Sequence, residues 1–163
     1  MQRIFNYKKL IYSFIIIIFT FGIDRASKIY ILNLAENGTI IDFYIFSFLN
    51  IFLVWNSGIG FGFLSFEANN IYHFITFIIA IINLLLIYLI FTVNDIRRYF
   101  ILIVLGGSLG NFFDRVYYYQ VPDFIDFHIG NFHWFIFNIA DIFITIGVIC
   151  LIIVEIFWKK LIK

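Results

Sequence analysis

The chain has 163 residues, of which 63% are hydrophobic and only 13% are charged, whereas a soluble domain is about half apolar and about a quarter charged. This composition excludes an ordinary soluble domain and indicates a membrane protein, and the net charge of +1 gives no reason to expect a nucleic-acid partner. The single cysteine, Cys150, lies in an apolar run, so we expect neither a disulfide nor a cysteine metal site.

Four apolar segments follow one another along the chain, and a membrane span needs about 20 residues. We place the spans at about residues 10–32, 71–93, 99–115 and 135–158. The first and third reach this length only if Asp24 and Asp114 lie at the membrane boundary. Basic residues precede the first segment as in a signal peptide, but no small-x-small cleavage site follows, so we expect it to be retained.

Lysine and arginine are concentrated on one side of the predicted spans. Eight of the eleven lie at the termini or between the second and third spans: Arg3, Lys8, Lys9, Arg97, Arg98, Lys159, Lys160 and Lys163. The positive-inside rule then makes both termini cytoplasmic, and the loops of about residues 33–70 and 116–134 face outward. The stretch from Thr39 to Trp55 is rich in β-branched and aromatic residues, which predicts a small sheet or hairpin against the outer leaflet.

Two aspartates reach the same predicted height from antiparallel spans. At the rise of an α-helix, Asp114 and Asp141 lie about 24 Å and about 27 Å above the cytoplasmic side. Each closes an Asn-x-x-Asp pattern, with Asn111 and Asn138, and this spacing puts each pair on one helix face. The pattern predicts that each asparagine hydrogen-bonds near its own aspartate or lines the same cavity.

Two buried carboxylates at one level are costly near hydrocarbon and admit several interpretations. They can form a catalytic dyad, in which one takes a proton from an attacking water and the other donates to the developing oxyanion. They can instead pair structurally with Arg115 or Lys28, act as a proton relay in a transporter, or belong to a scaffold. A transporter predicts polar residues through the bilayer depth, but the span interiors contain only Asn83 and a few hydroxyls.

Five motifs in order resemble those of the lipoprotein signal peptidases (signal peptidase II), over almost the whole chain. They are Asp24-Arg-Ala-Ser27-Lys28, Asn56-Ser-Gly58-Ile-Gly60-Phe61, Gly106 to Arg115, Val121-Pro-Asp123-Phe124 and Phe137 to Asp141. Three positions depart from the family pattern: Arg25 replaces the usual Gln, Gly60 the usual Ala, and Phe135 stands where a Pro is common. We expect Arg25 either to alter substrate preference or to snorkel to lipid headgroups.

The resemblance implies a mainly helical membrane fold, with four transmembrane helices, a small extracytoplasmic β-cradle and a flap within residues 33–70, in one peptidase domain of residues 1–163. It implies cleavage of diacylglyceryl-modified prolipoproteins before the lipidated cysteine, at the outer face of the bacterial inner membrane, by a chain that we expect to be a monomer. Asp114 and Asp141 would be the catalytic pair. The implied supporting or substrate-binding residues are Asp24, Lys28, Asn56, Gly58, Asn111, Arg115, Asp123, Asn138 and Ala140.

We expect neither a cofactor nor a metal. His128 and His133, with Asp123 and Asp126 nearby, could suggest a metal site. However, the spacing of five residues between the histidines fits no common zinc pattern.

Overall fold

The computed structural model describes residues 7–58, 69–130 and 132–161. This part of the chain contains four helices and four strands, which we number α1–α4 and β1–β4 in chain order. They are α1 (Tyr7–Glu36), β1 (Asp42–Phe46), β2 (Leu49–Asn56), α2 (Asn69–Thr92), α3 (Arg97–Tyr117), β3 (Val121–Ile129), β4 (Phe132–Phe137) and α4 (Ile139–Leu161). Each helix is long and apolar enough to cross a membrane, which confirms the predicted fold class.

Helix α3 is the centre of the bundle, since it packs against α1, α2 and α4. More of its length is buried than of any other described span, and glycines let its neighbours approach. A Cβ atom at Gly107 would lie 2.7 Å from the carbonyl oxygen of Ala140, and one at Gly106 would overlap the hydroxyl of Thr20. Small residues of this kind are typical of helix contacts in membranes, where packing and not the hydrophobic effect holds helices together.

Helix α1 reverses the pattern of a soluble helix. Its buried residues are mostly polar, namely Ser13, Thr20, Asp24, Arg25 and Lys28, with Ile31 and Leu32 at its end. Large apolar side chains such as Ile15, Ile18 and Phe19 are exposed, as expected where lipid is the solvent. The polar face of α1 therefore turns toward α3 and the interior of the bundle.

The four strands form one antiparallel sheet in the order β1-β2-β3-β4. The hairpin of β1 and β2 confirms the strands predicted between Thr39 and Trp55. Strands β3 and β4, in the second predicted outer loop, were not foreseen, and β2 pairs with β3 to join the two loops. A cluster of Ile31, Ile41 and Phe124 packs the sheet against the end of α1.

One sequence expectation, the start of the fourth span, differs from the structure. Another, the flap, lies partly outside the described residues. The sequence places the start of the fourth span at residue 135, but Phe132–Phe137 form β4 and the helix begins at Ile139. An apolar run does not distinguish a helix from a strand, and here β3 supplies the partner, with Ile125 opposite Phe137. The predicted flap is described only in part, because Gly60 and Phe61 lie outside the described residues.

Candidate active site

A buried polar cluster lies where α1, α3, α4 and the sheet meet. Asp24, Lys28, Asp114 and Asn138 are fully buried, and Asp123 nearly so. Buried charges are tolerated when they are paired and hydrogen-bonded, and Lys28 with its carboxylate partners meets that condition. The Nε atoms of Arg25 and Arg115 are the exceptions, since they have no hydrogen-bond partner among the described residues. Glycine makes room for it, because a Cβ atom at Gly110 would collide with the carboxylate of Asp24.

Lys28 is the central cation of the cluster. Its Nζ donates to Asp24 Oδ2 at 3.0 Å, to Asn111 Oδ1 at 2.9 Å and to Asp114 Oδ2 at 2.6 Å. An ammonium group has three protons to donate, so this set uses all of them. The bond to Asp24 spans one helical turn, as the i, i+4 spacing predicts.

Arg25 contacts the same two carboxylates from the side. Its Nη2 lies 3.1 Å from Asp24 Oδ2 and its Nη1 lies 2.6 Å from Asp114 Oδ1. The guanidinium also sits 5.0 Å from the ring centroid of Phe113, and the residue is only 9% exposed. The alternative in which Arg25 snorkels outward is therefore wrong, because its guanidinium forms ion pairs with Asp24 and Asp114 inside the cluster.

Asp141 stands in the first turn of α4, where the backbone is arranged to receive an anion. Asn138 N–H donates to Asp141 Oδ2 at 3.1 Å, and Asp141 N–H donates to Asn138 Oδ1 at 3.2 Å. This reciprocal pair is a capping box, with the acidic side chain at the positive end of the helix dipole. Asn138 thus bonds to the aspartate of its own motif, as predicted.

Asn111 forms its hydrogen bonds near the aspartate of its own motif, Asp114, but not to that carboxylate itself, which agrees with the sequence expectation. Its Nδ2 donates to Asp141 Oδ1 at 2.8 Å, while its Oδ1 accepts from Lys28. Because Lys28 also donates to Asp114, one lysine and one amide connect the two candidate catalytic carboxylates. Among the described contacts no hydrogen bond joins Asp114 to Asp141 directly.

Asp123 ties the sheet to the start of α4. Its Oδ2 accepts from Asn56 Nδ2 at 2.9 Å and its Oδ1 from Asn138 Nδ2 at 2.5 Å. Burial, together with the neighbouring charge of Asp141, raises the pKa of Asp123 to about 7. Three motif residues that are distant in sequence therefore meet at one carboxyl group.

Arg115 binds the chain's own backbone. Its Nη2 donates to the carbonyl oxygen of Gly58 at 2.9 Å and its Nη1 to that of Asn111 at 3.2 Å. The amide of Gly58 in turn donates to Asn56 Oδ1 at 2.8 Å. Arg115 thus holds the backbone at the point where β2 ends, and it forms no ion pair with Asp114 among the described contacts.

Ala140 and Tyr72 contribute through single hydrogen bonds. The amide of Ala140 donates to Asp24 Oδ1 at 3.0 Å, so that α1 and the start of α4 are joined. The hydroxyl of Tyr72 donates to the carbonyl oxygen of Arg115 at 2.8 Å. Sequence analysis did not single out Tyr72, because one tyrosine among ten at the head of an apolar span carries no signal.

An apolar cavity of about 220 Å³ opens beside Asp141, between β4 and α4. It is lined by Phe135, Phe137, Asp141, Ile142, Thr145 and Ile146. The surface of this cavity is almost wholly apolar, which suits an apolar group of a ligand, and Asp141 lies at its border.

Comparison with known proteins gives consistent results. A family model described as signal peptidase (SPase) II matches residues 16–157. A lipoprotein signal peptidase of Pelagibacter ubique is 50% identical over 155 residues, covering 95% of this chain and 93% of that protein. Another, of Anaplasma phagocytophilum, is 37% identical over 149 residues, covering 91% of this chain and 94% of that protein.

Solved structures of two bacterial membrane enzymes are also similar. One has a TM-score of 0.72 and 34% identity, covering 91% of this chain and 88% of its own. The other has a TM-score of 0.67 and 38% identity, covering 88% of this chain and 91% of its own. The matched share of the chain is larger than the share that the four helices make up. The similarity therefore includes residues of the sheet as well as the helices.

Proposed function

The chain belongs to the signal peptidase II family, and we propose that Asp114 and Asp141 are its catalytic pair. As a member of that family it is an aspartic peptidase of the bacterial membrane that removes signal peptides from prolipoproteins. The observation that carries the assignment is the linkage of the two carboxylates, from neighbouring helices, through Lys28 and Asn111.

The pair acts on a water molecule and a peptide carbonyl. The ionised aspartate takes a proton from the water molecule while the water oxygen attacks the carbonyl carbon of the substrate. The protonated aspartate donates to the carbonyl oxygen, which would otherwise become an oxyanion. When the tetrahedral intermediate collapses, the carbon–nitrogen bond breaks and the leaving amine takes the proton that the first aspartate removed from the water. A hydroxyl group of the intermediate returns its proton to the second aspartate, so the pair regains its starting state. Lys28 and Asn111 hold both carboxylates in place through the cycle.

The substrate is a prolipoprotein that carries a diacylglyceryl group on the cysteine following the cleaved bond. The apolar cavity beside Asp141 supports this choice, because an acyl chain or an apolar signal-peptide residue can lie against Phe137 and Ile146 while the scissile bond reaches the carboxylates. Asn56, Gly58 and Asp123 line the sheet side of the cluster, where an extended peptide would pass.

The site faces the outer side of the membrane, and both termini are cytoplasmic. Two observations support this orientation. The polar cluster lies at the opposite end of α3 from Arg97 and Arg98, and basic residues favour the cytoplasmic side. The chain acts there as a monomer in the bilayer, with the lipidated protein as its partner and no nucleic acid.

A cleavage assay on a lipidated prolipoprotein tests the assignment. Asp114→Asn and Asp141→Asn should each lower kcat by at least about a hundredfold, since loss of general acid–base catalysis costs about that much or more. The matched control is Asp42→Asn, which changes an exposed aspartate on β1 and should keep wild-type turnover. Thermal unfolding in detergent shows whether each variant is folded. A folded Asp114→Asn or Asp141→Asn protein with near wild-type turnover would overturn the proposal.

A further inference from the structure

A second group of ligand-type side chains lies on the hairpin of β3 and β4. His128 and His133 are direct partners in the register of the two strands, and their rings stack with centroids 4.9 Å apart. Asp126 Oδ2 lies 2.9 Å from His133 Nδ1 and 3.5 Å from His128 Nδ1. One ligand atom from each of the three residues falls within 4.8 Å of the others. Strand alternation places Asp126 on the opposite face of β3 from Asp123.

His128 has a buried nitrogen without a hydrogen bond. The residue is 8% exposed, and its Nδ1 has no hydrogen-bond partner among the described residues. A buried polar atom without a hydrogen-bond partner destabilises the folded state. This nitrogen faces the carboxylate of Asp126, which is itself 4% exposed. The carboxylate of Asp126 already has His133 Nδ1 within hydrogen-bond distance, so a cation between Asp126 and His128 would supply the partner that His128 Nδ1 lacks.

We propose that Asp126, His128 and His133 bind a divalent transition-metal ion of the zinc class. Imidazole nitrogens and one carboxylate oxygen suit such an ion, and three protein ligands leave a fourth position for water. Tetrahedral zinc needs ligand atoms about 3.3 Å apart, and the separations of Asp126 Oδ2 from the two histidine nitrogens, 3.5 Å and 2.9 Å, lie on either side of that value. The side chain of His133 is 58% exposed, so its ring can turn toward the ion and the ion can enter from solvent.

The spacing argument against a metal overlooked the hairpin. Residues five apart in sequence do not share a helix face, but a tight turn at Gly130, with φ +59°, makes them neighbours across two strands. The ion would join β3 and β4 next to the turn of their hairpin. Because β4 is followed by Asn138 and α4, a bound ion would stabilise the position of these candidate active-site elements. It would take no part in the peptidase chemistry.

Zinc titration of the chelator-treated protein in detergent tests the proposal, with isothermal calorimetry as the readout. We expect one equivalent of zinc to bind with micromolar or tighter affinity and to raise the melting temperature, since a ligand that binds only the folded state stabilises it. Cobalt in place of zinc should give the visible absorption of a tetrahedral site. Magnesium should not bind.

Variants identify the ligands independently of peptidase activity. His133→Ala, at an exposed side chain, and His128→Ala should each weaken zinc binding at least tenfold and abolish the zinc-dependent rise in melting temperature. His73→Ala is the matched control, because His73 is the third histidine and lies on α2; it should bind zinc as the wild type does. No saturable zinc binding, unchanged binding in His133→Ala, or binding lost only in His73→Ala would overturn the proposal.

Discussion

Arg25 pairs with two buried carboxylates of the candidate active site. Its guanidinium bridges Asp24 and Asp114, so that Asp114 is paired with two cations, Arg25 and Lys28. Removing one partner from a buried ion pair is more damaging than removing one from a more exposed pair, because the remaining charge loses compensation in a poorly solvated site. Here Lys28 still pairs with both carboxylates after Arg25 is removed, so the loss is partial. The pair of Arg97 and Asp95 is the half-buried counterpart.

Arg25→Gln should therefore lower the free energy of unfolding by about 2–4 kcal/mol, whereas Arg97→Gln should lower it by less than about 1 kcal/mol. Thermal unfolding of both variants in the same detergent measures the difference. Equal losses would mean that the ion pairs of Arg25 contribute no more than those of a surface arginine.

Asp123 gives the stability of the protein a predictable pH dependence. Its pKa is raised to about 7 by burial and by Asp141, so the folded state retains a proton that the unfolded chain releases near pH 4. The contribution of Asp123 is fully present below that value and is lost as the pH rises through about 7.

The melting temperature of the wild type should accordingly fall between pH 4.5 and 8 by several degrees more than that of Asp123→Asn, which cannot ionise. Asp42→Asn, at an exposed position, should keep the wild-type slope. The same slope in wild type and Asp123→Asn would show that this carboxyl group is not the source of the pH dependence.

Helix α3 illustrates at the scale of elements why a membrane helix with polar and glycine residues can be the best packed. Gly107 brings the backbone of α3 against the start of α4, next to Ala140, Phe143 and Ile144. By contrast, nothing lies within 4 Å of a Cβ atom built at Gly22 on α1. The two glycines therefore make a matched pair for testing close packing.

Gly107→Ala should destabilise the protein by about 1–3 kcal/mol through overpacking and should lower kcat by displacing Asp141. Gly22→Ala should leave stability unchanged or slightly improved, because alanine favours a helix by about 1 kcal/mol over glycine. Melting temperature and turnover of both variants provide the measurements. A harmless Gly107→Ala would contradict the close approach of α3 and α4.

The strands show that a segment can form a strand because a neighbouring strand pairs with it. Phe132–Phe137 is apolar enough for the end of a span, yet it forms β4 because β3 lies alongside and supplies hydrogen bonds. The hairpin of β1 and β2 could be predicted, since its β-branched and aromatic residues follow a turn at Gly38 with φ +81°. Local sequence sufficed for one hairpin and not for the other.

At the scale of the whole molecule, the helices separate the buried polar cluster from the end that carries Arg97 and Arg98. Cysteine labelling tests the proposed orientation on a background in which Cys150→Ser removes the native thiol. A membrane-impermeant thiol reagent applied to intact spheroplasts should modify Thr39→Cys, between α1 and β1. It should modify Asn94→Cys, between α2 and α3, only after the membrane is permeabilised. The reverse result would invert the topology.

By itself the sequence determined the membrane class, the four spans and the family, because composition, apolar length and ordered motifs are properties of the chain that need no folding. It also predicted that Asp114 and Asp141 lie at similar distances from the basic ends of their helices, since the rise per residue of an α-helix is constant. Only the tertiary structure decided that Asn111 bonds to Asp141, that Arg25 turns inward to Asp114, and that His128 meets His133. These contacts depend on which helix faces and strands become neighbours, and that outcome is set by packing between segments distant in sequence.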